Sequence, residues 1–213
     1  SLYGNLTNNG TFNTTAGTLE FRGASNQTIP AVTAANVVMN GAGGITLSGD
    51  MNITTLTLTN GNITLGSNNL VMTGGTVGSV ASHIVTNGTG RVTNNNVGVV
   101  SVVFPVGPSA TSYNPVLIAN GGGRNFTVGV ATGVTPAVAN SARVVNRTWN
   151  VTVNTTSSSP AHITFGYADT HVNSSGTATA NMEIGAHNGT SWLTVSPAGG
   201  VPPTGTAALR FVG

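Results

Sequence analysis

The feature that most restricts this chain is a short alternating motif that returns throughout its N-terminal half. Gly17-Thr18-Leu19-Glu20-Phe21, Gly44-Ile45-Thr46-Leu47, Thr55-Leu56-Thr57-Leu58-Thr59, Asn62-Ile63-Thr64-Leu65 and Asn69-Leu70-Val71-Met72 each set an apolar side chain at every second position. Successive side chains of a strand point to opposite faces, so this period builds strands with one buried face and one polar face. Between the runs stand Asn9-Gly10, Asn40-Gly41, Asn60-Gly61 and Asn87-Gly88, dipeptides that tolerate positive φ and close tight turns. The steps Leu56 to Ile63 and Ile63 to Leu70 are 7 residues, whereas Ile45 to Leu56 is 11, so the repeat is irregular. Short strands, tight turns and no crossover helices predict an irregular β-solenoid of strand repeats over residues 1–97, with a hairpin-built sandwich as the rival arrangement.

Composition removes the helical alternatives. The chain holds 34 Thr, 26 Asn and 30 Gly among 213 residues, while Glu20, Glu183 and Gln27 are its only Glu and Gln and Lys is absent. Only 5% of positions are charged, against about 25% in an ordinary domain, so hydroxyls and amides carry the solubility. The 38% hydrophobic content still suffices for a buried core. A net charge of +2 rests on the dispersed Arg22, Arg91, Arg124, Arg143, Arg147 and Arg210, which is not the clustered footprint of a nucleic-acid binder. Without cysteine there is no disulfide, thiol chemistry or Cys-ligated zinc. No apolar run is long enough to span a bilayer as a helix. The start at Ser1-Leu2-Tyr3-Gly4-Asn5 lacks an initiator Met and a basic leader, so a processed form or a piece of a longer polypeptide is expected.

From about residue 98 the runs lengthen. Candidate strands are Val99 to Val106, Pro115 to Ala119, Asn125 to Ala131, Arg143 to Asn154, Ala161 to Ala168, Asn181 to His187, Ser191 to Val195 and Ala207 to Val212. Such spacing, bounded by Gly, Pro and Ser clusters, predicts an antiparallel, Ig-like β-sandwich over residues 98–213, with Trp149 and Trp192 in its core. The whole chain is thus expected to be all-β. In Arg143 to Asn154 the odd positions carry Val145, Arg147, Trp149, Val151 and Val153, and the even ones only amides and hydroxyls. Arg147 on the apolar face is expected to snorkel at the strand end, or else to reach a carboxylate such as Asp169 or Glu183.

Four strings in this region, Val103-Phe104-Pro105-Val106-Gly107, Tyr113-Asn114-Pro115-Val116, Asn146-Arg147-Thr148-Trp149-Asn150 and Asn188-Gly189-Thr190-Ser191-Trp192, resemble a module of large secreted surface proteins of Bacteroidetes bacteria. The resemblance covers about residues 55–195. It implies an exported, adhesin-like or structural cell-surface protein sent out by the type IX route, which reads a C-terminal sorting domain. The residues up to Gly213 depart from that pattern in showing no such domain, so either its cleavage or a different, self-assembling member is the expectation. No catalytic residue is carried over by the resemblance.

Candidate chemistry is sparse. Glu20, Asp50, Asp169 and Glu183 are scattered singly, so no carboxylate pair flanks a scissile bond. There is no Gly-x-Ser-x-Gly elbow, and His83, His162, His171 and His187 lie in polar contexts that read as hydrogen-bonded rather than basic. Asp169-Thr170-His171 offers at most a weak calcium loop. No enzyme activity, metal or cofactor is expected. Asn-x-Ser/Thr triplets number 13. Asn146, Asn150 and Asn154 share one polar face, and with Asn62, Asn87, Asn173 and Asn188 they are candidate glycan sites. The expected function is that of an extracellular structural subunit whose copies form a filament by β-strand addition. Leu209, Phe211 and Val212 are candidates for the donating edge, and Leu2 and Leu6 for the matching one. An adhesin segment binding glycans or surfaces, or a passive stalk repeat of a larger protein, is the alternative.

Overall fold

A computed structural model of the chain describes residues 1–139, 141, 144–156, 159–173, 181–195, 200 and 202–213. The N-terminal half winds as a two-faced β-solenoid. One face stacks β1 (Asn13–Phe21), β3 (Val32–Asn40), β5 (Met51–Asn60), β7 (Leu70–Met72) and β9 (Val92–Val97) in parallel. The other stacks β2 (Gln27–Ile29), β4 (Ile45–Leu47), β6 (Ile63–Thr64), β8 (Ile84–Val85) and β11 (Val106–Gly107), also parallel. The alternation read from the sequence therefore buries two columns in register. Ile45, Ile63, Ile84 and Val106 line up on one face, and Val32, Met51, Leu70 and Val92 on the other. All eight are buried, each contributing about 1.5–3 kcal/mol relative to an exposed side chain.

The spacing of 7 has a different meaning from a rung repeat. Leu56 lies on β5, Ile63 on β6 and Leu70 on β7, so each step crosses from one face to the other, and Leu70 stacks on Met51 rather than on Leu56. Hydrogen bonds between stacked coils join residues 19 to 22 apart. Turn chemistry permits the close stacking. Gly61 has φ +81°, and a Cβ there would overlap the carbonyl oxygen of Gly41 in the coil before it.

Beyond the solenoid the same sheet continues in the antiparallel sense. β13 (Arg124–Thr132) pairs with β9, and β14 (Arg147–Val153) with β13, giving a seven-stranded sheet. A second, antiparallel sheet runs β10 (Val102–Phe104), β12 (Val116–Ala119), β15 (His162–Tyr167), β19 (Leu209–Val212) and β18 (Thr204–Thr206). Trp149 of β14 lies 5.0 Å, ring centre to ring centre, from Phe165 of β15. Together with Val151 and Ile163 these rings pack onto one continuous core that runs from Phe21 to Val130. A separate hairpin joins β16 (Gly185–His187) to β17 (Trp192–Thr194). The protein is thus all-β, a solenoid followed by antiparallel sheets, and the β9–β13 pairing carries the seven-stranded sheet across residue 97.

Two expectations are corrected here. Leu209, Phe211 and Val212 do not form a free edge, because β19 is paired with β15 on one side and β18 on the other. Arg147 neither snorkels nor meets a carboxylate: its guanidinium donates to Asn114 Oδ1, Ser112 Oγ and the Asn146 carbonyl. Arg143, the first residue of the longest expected strand, lies outside the described residues.

Candidate functional site

The excess of asparagine has a structural use. Amide oxygens at the coil corners accept backbone N–H groups from the next coil: Asn5 from Thr28, Asn62 from His83, and Asn69 from Arg91. Asp50 does the same for Asn69. The ladder reaches the antiparallel strands, where Asn125 accepts from Asn96 and Asn154 from Asn125. Each bond satisfies a donor that a turn would otherwise leave to water. In the sequence this appeared only as an excess of triplets, because the ladder partners lie about 20 residues apart.

Of the candidate glycan sites, Asn87, Asn150, Asn154, Asn173 and Asn188 are exposed, and Asn62 and Asn146 are half-buried. Asn62 donates its Nδ2 to the Ala110 carbonyl and Asn173 to that of Ser141. Asn188 accepts from Thr190 and Ser191 and so closes the β16–β17 turn.

The open ends of the sheets differ. At the first coil Leu2 bridges Phe21 in parallel, and the Leu6 N–H reaches the Thr28 carbonyl. Leu2, Leu6, Phe12 and Leu19 remain only partly buried there, and Tyr3 is 68% exposed. In the second sheet β10 is an outer strand. Beside it lies a groove of about 380 Å³ lined by Leu56, Leu58, Val77 and Val103. Val77, Val99 and Val100 stand 74%, 77% and 81% exposed around this edge. No residue lining the groove is charged.

The densest polar cluster lies where the solenoid meets the antiparallel sheets. Asn114 and Ser112 are buried, and Arg147 and His171 half-buried. His171 Nδ1 faces two donors, Asn114 Nδ2 at 3.0 Å and the Ala168 N–H at 3.1 Å. That nitrogen must accept, which puts the ring proton on Nε2, 3.3 Å from Ser112 Oγ. Ser112 in turn donates to Asn114 Oδ1 at 2.9 Å and receives Arg147 Nη2 at 2.8 Å. Ser112 and His171 thus touch as a nucleophile and base would, but the tautomer is the reverse of the one that could take a serine proton. Burial, and then the nearby Arg147 charge, push the His171 pKa down to about 4.

Asp169, Glu20 and His83 are each bound up locally. Both Asp169 oxygens are held by Arg210, which leaves no carboxylate for the calcium loop considered above. The hydrogen bonds from Ser1 and Asn40 and the charge of Arg22 hold the Glu20 carboxyl below its ordinary range. His83 is fully buried with carbonyl oxygens at both ring nitrogens, Ser79 at 3.0 Å and Ser109 at 2.9 Å. Desolvation pushes its pKa down, partly opposed by those carbonyls. Among the described residues no three His, Asp or Glu side chains gather as a metal site. A cleft of about 500 Å³ between β14, β15 and the β16–β17 hairpin is lined by Trp149, Phe165, Met182, Ile184 and Trp192. Trp192 donates Nε1–H to the Pro136 carbonyl at 3.0 Å and stacks edge-on with His187.

No family model, curated protein or solved structure matches this chain.

Proposed function

We propose that the chain is a non-enzymatic, extracellular structural protein, a subunit of a cell-surface filament whose copies join by β-strand addition. One observation carries the reading: β10 leaves an uncharged strand edge beside an apolar groove, with Val77, Val99 and Val100 exposed around it. Bare edges without charged gatekeepers invite another strand. Main-chain bonds to the edge supply strength, and the groove takes alternate side chains and sets register. Because β19 is internal, the donor in this reading is the first-coil segment containing Leu2 and Leu6, which would exchange its hydrogen bonds to Glu20, Arg22, Gln27 and Thr28 for those of a neighbouring copy. A site and a donor on different parts of one surface make a heterologous contact, which propagates as an open polymer. Export to the cell surface and glycans on the exposed Asn87, Asn150, Asn154, Asn173 and Asn188 belong to the same proposal, and an intact mass of native material tests the glycans.

The direct test is negative-stain microscopy of the purified protein beside the double variant Val99→Asp, Val100→Asp. Both side chains are exposed, so the variant keeps its fold. Filaments from the parent and soluble monomers from the variant are expected. Filaments of unchanged length from the variant overturn strand addition at β10 and favour a stalk repeat or an adhesin segment. The adhesin alternative draws no support from Trp192, whose indole is tied to Pro136 and His187 rather than displayed as a sugar platform.

A further inference from the structure

We propose that Ser112, Asn114, Arg147 and His171 form an acid-sensitive latch that fastens the strap 168–173 across the junction of the solenoid and the antiparallel sheets. The strap ties three elements together. The Asn146 N–H donates to the His171 carbonyl at 2.7 Å, and the Asn173 N–H to that of Val144 at 3.1 Å, which holds the entry to β14. The Asp169 N–H reaches the Ala207 carbonyl and its carboxylate holds Arg210, which fixes the β18–β19 turn and β19. Val145 and Val172 complete the strap as an antiparallel bridge. The imidazole of His171 is the only side chain of the strap that reaches the buried pair Ser112 and Asn114.

This attachment requires a neutral ring. A proton on Nδ1 removes the acceptor used by Asn114 and by the Ala168 N–H, and sets two donors against a third. The groups that face or flank the ring add to the cost. The Arg147 guanidinium on β14 donates to the Ser112 Oγ that the ring also faces and to Asn114 Oδ1, the other end of the amide that donates to the ring, and Asp169 within the strap is neutralised by Arg210 of β19. Tyr167 at the end of β15 stays protonated, its pKa raised first by burial. Tyr113, between Ser112 and Asn114, has its pKa raised to about 12 and stacks on His83. None of these supplies an unpaired negative charge to welcome an imidazolium.

The sign follows from the lowered value: with the folded pKa near 4, the latch is fully formed above the ordinary histidine range of about 6.5 and is lost as pH falls toward 4. The inference does not depend on filament assembly and is read on the monomer. Backbone hydrogen exchange, corrected for its intrinsic pH dependence, is compared at pH 7.5 and pH 5. Protection at Asn146 and Asn173 is expected to fall about tenfold or more, while Leu70 and Ile84 in the solenoid stay within about twofold. In His171→Gln the amide oxygen accepts as Nδ1 does but takes up no proton, so the fall should vanish. The same acid-induced fall in His171→Gln, or none in the parent, overturns the latch. If that variant does not fold, the ring signals of the parent decide. A His171 midpoint far below a free histidine supports the latch, and an ordinary midpoint overturns it.

Discussion

The solenoid and the antiparallel end are made of the same residue types, yet they bury them differently. From Phe21 to Val130 nearly every inward side chain is sealed, whereas beyond residue 131 only Gly166, Tyr167 and Val212 are buried among the described residues. In the solenoid each coil leans on neighbours about 20 residues away, so identical columns repeat and close off one another. In the antiparallel end the decisive contacts span 56, 57 and 59 residues, as for Trp192 with Pro136, Asn114 with His171 and Ser112 with His171. Stacked local repeats build a dense core from a short pattern, while the far end depends on a few distant contacts, of which the Ser112–His171 cluster is the most interconnected.

Several substitutions sharpen or break this contrast. The largest effect is expected in a solenoid column: Ile63→Ala removes a fully buried side chain and should cost about 3–4 kcal/mol in a denaturant titration, whereas Leu193→Ala, half exposed on the hairpin, should cost well under about 1 kcal/mol. Equal losses would show that the two regions are not differently packed. Next comes a pair of glycines. Gly61→Ala combines positive φ with a clash against Gly41, and Gly189→Ala has φ +97° but open space around it. Thermal unfolding should report about 2–4 kcal/mol for the first and about 1 kcal/mol for the second. The smallest effect is a rung of the amide ladder: Asn69→Ala leaves the Arg91 N–H without its acceptor and should cost about 1 kcal/mol, against less than about 0.5 kcal/mol for the exposed Asn150→Ala.

The alternation of Leu and Ile with Thr in β4, β5 and β6 settled which side chains face inward, because a strand has only two faces and one of them had to be apolar. The Asn-Gly dipeptides likewise marked where strands end, although of their glycines only Gly61 takes the positive φ that the pairing suggested. In the same way β12, β13, β15 and β17 fall within two residues of the strands expected from hydrophobic runs. What such a pattern leaves open is which strand lies beside which. The 7-residue step fits both a one-face repeat and a face-to-face crossing, and only the coil closure of about 20 residues chose the second.

The residues of the proposed latch were hidden for the same reason. Asn114 and Arg147 stand in strings that carried the resemblance and His171 in the loop weighed for calcium, but no spacing joins them to one another or to Ser112, and their meeting depends on a strap that returns to a turn nearly 60 residues earlier. Arg147 looked like a misplaced charge on an apolar face until Asn114 and Ser112 came to it from outside its own strand. The terminal run Leu209 to Val212 looked like an edge because it ends the chain, but edges are a property of sheet order, and β18 covers it. The sequence by itself determined the secondary structure, the inward faces and the uncharged surface, all consequences of side-chain chemistry within a few bonds. The tertiary structure alone decided which edges stay open, which amides bridge coils and which histidine bears on buried partners, because those depend on long-range closure that no short window of residues encodes.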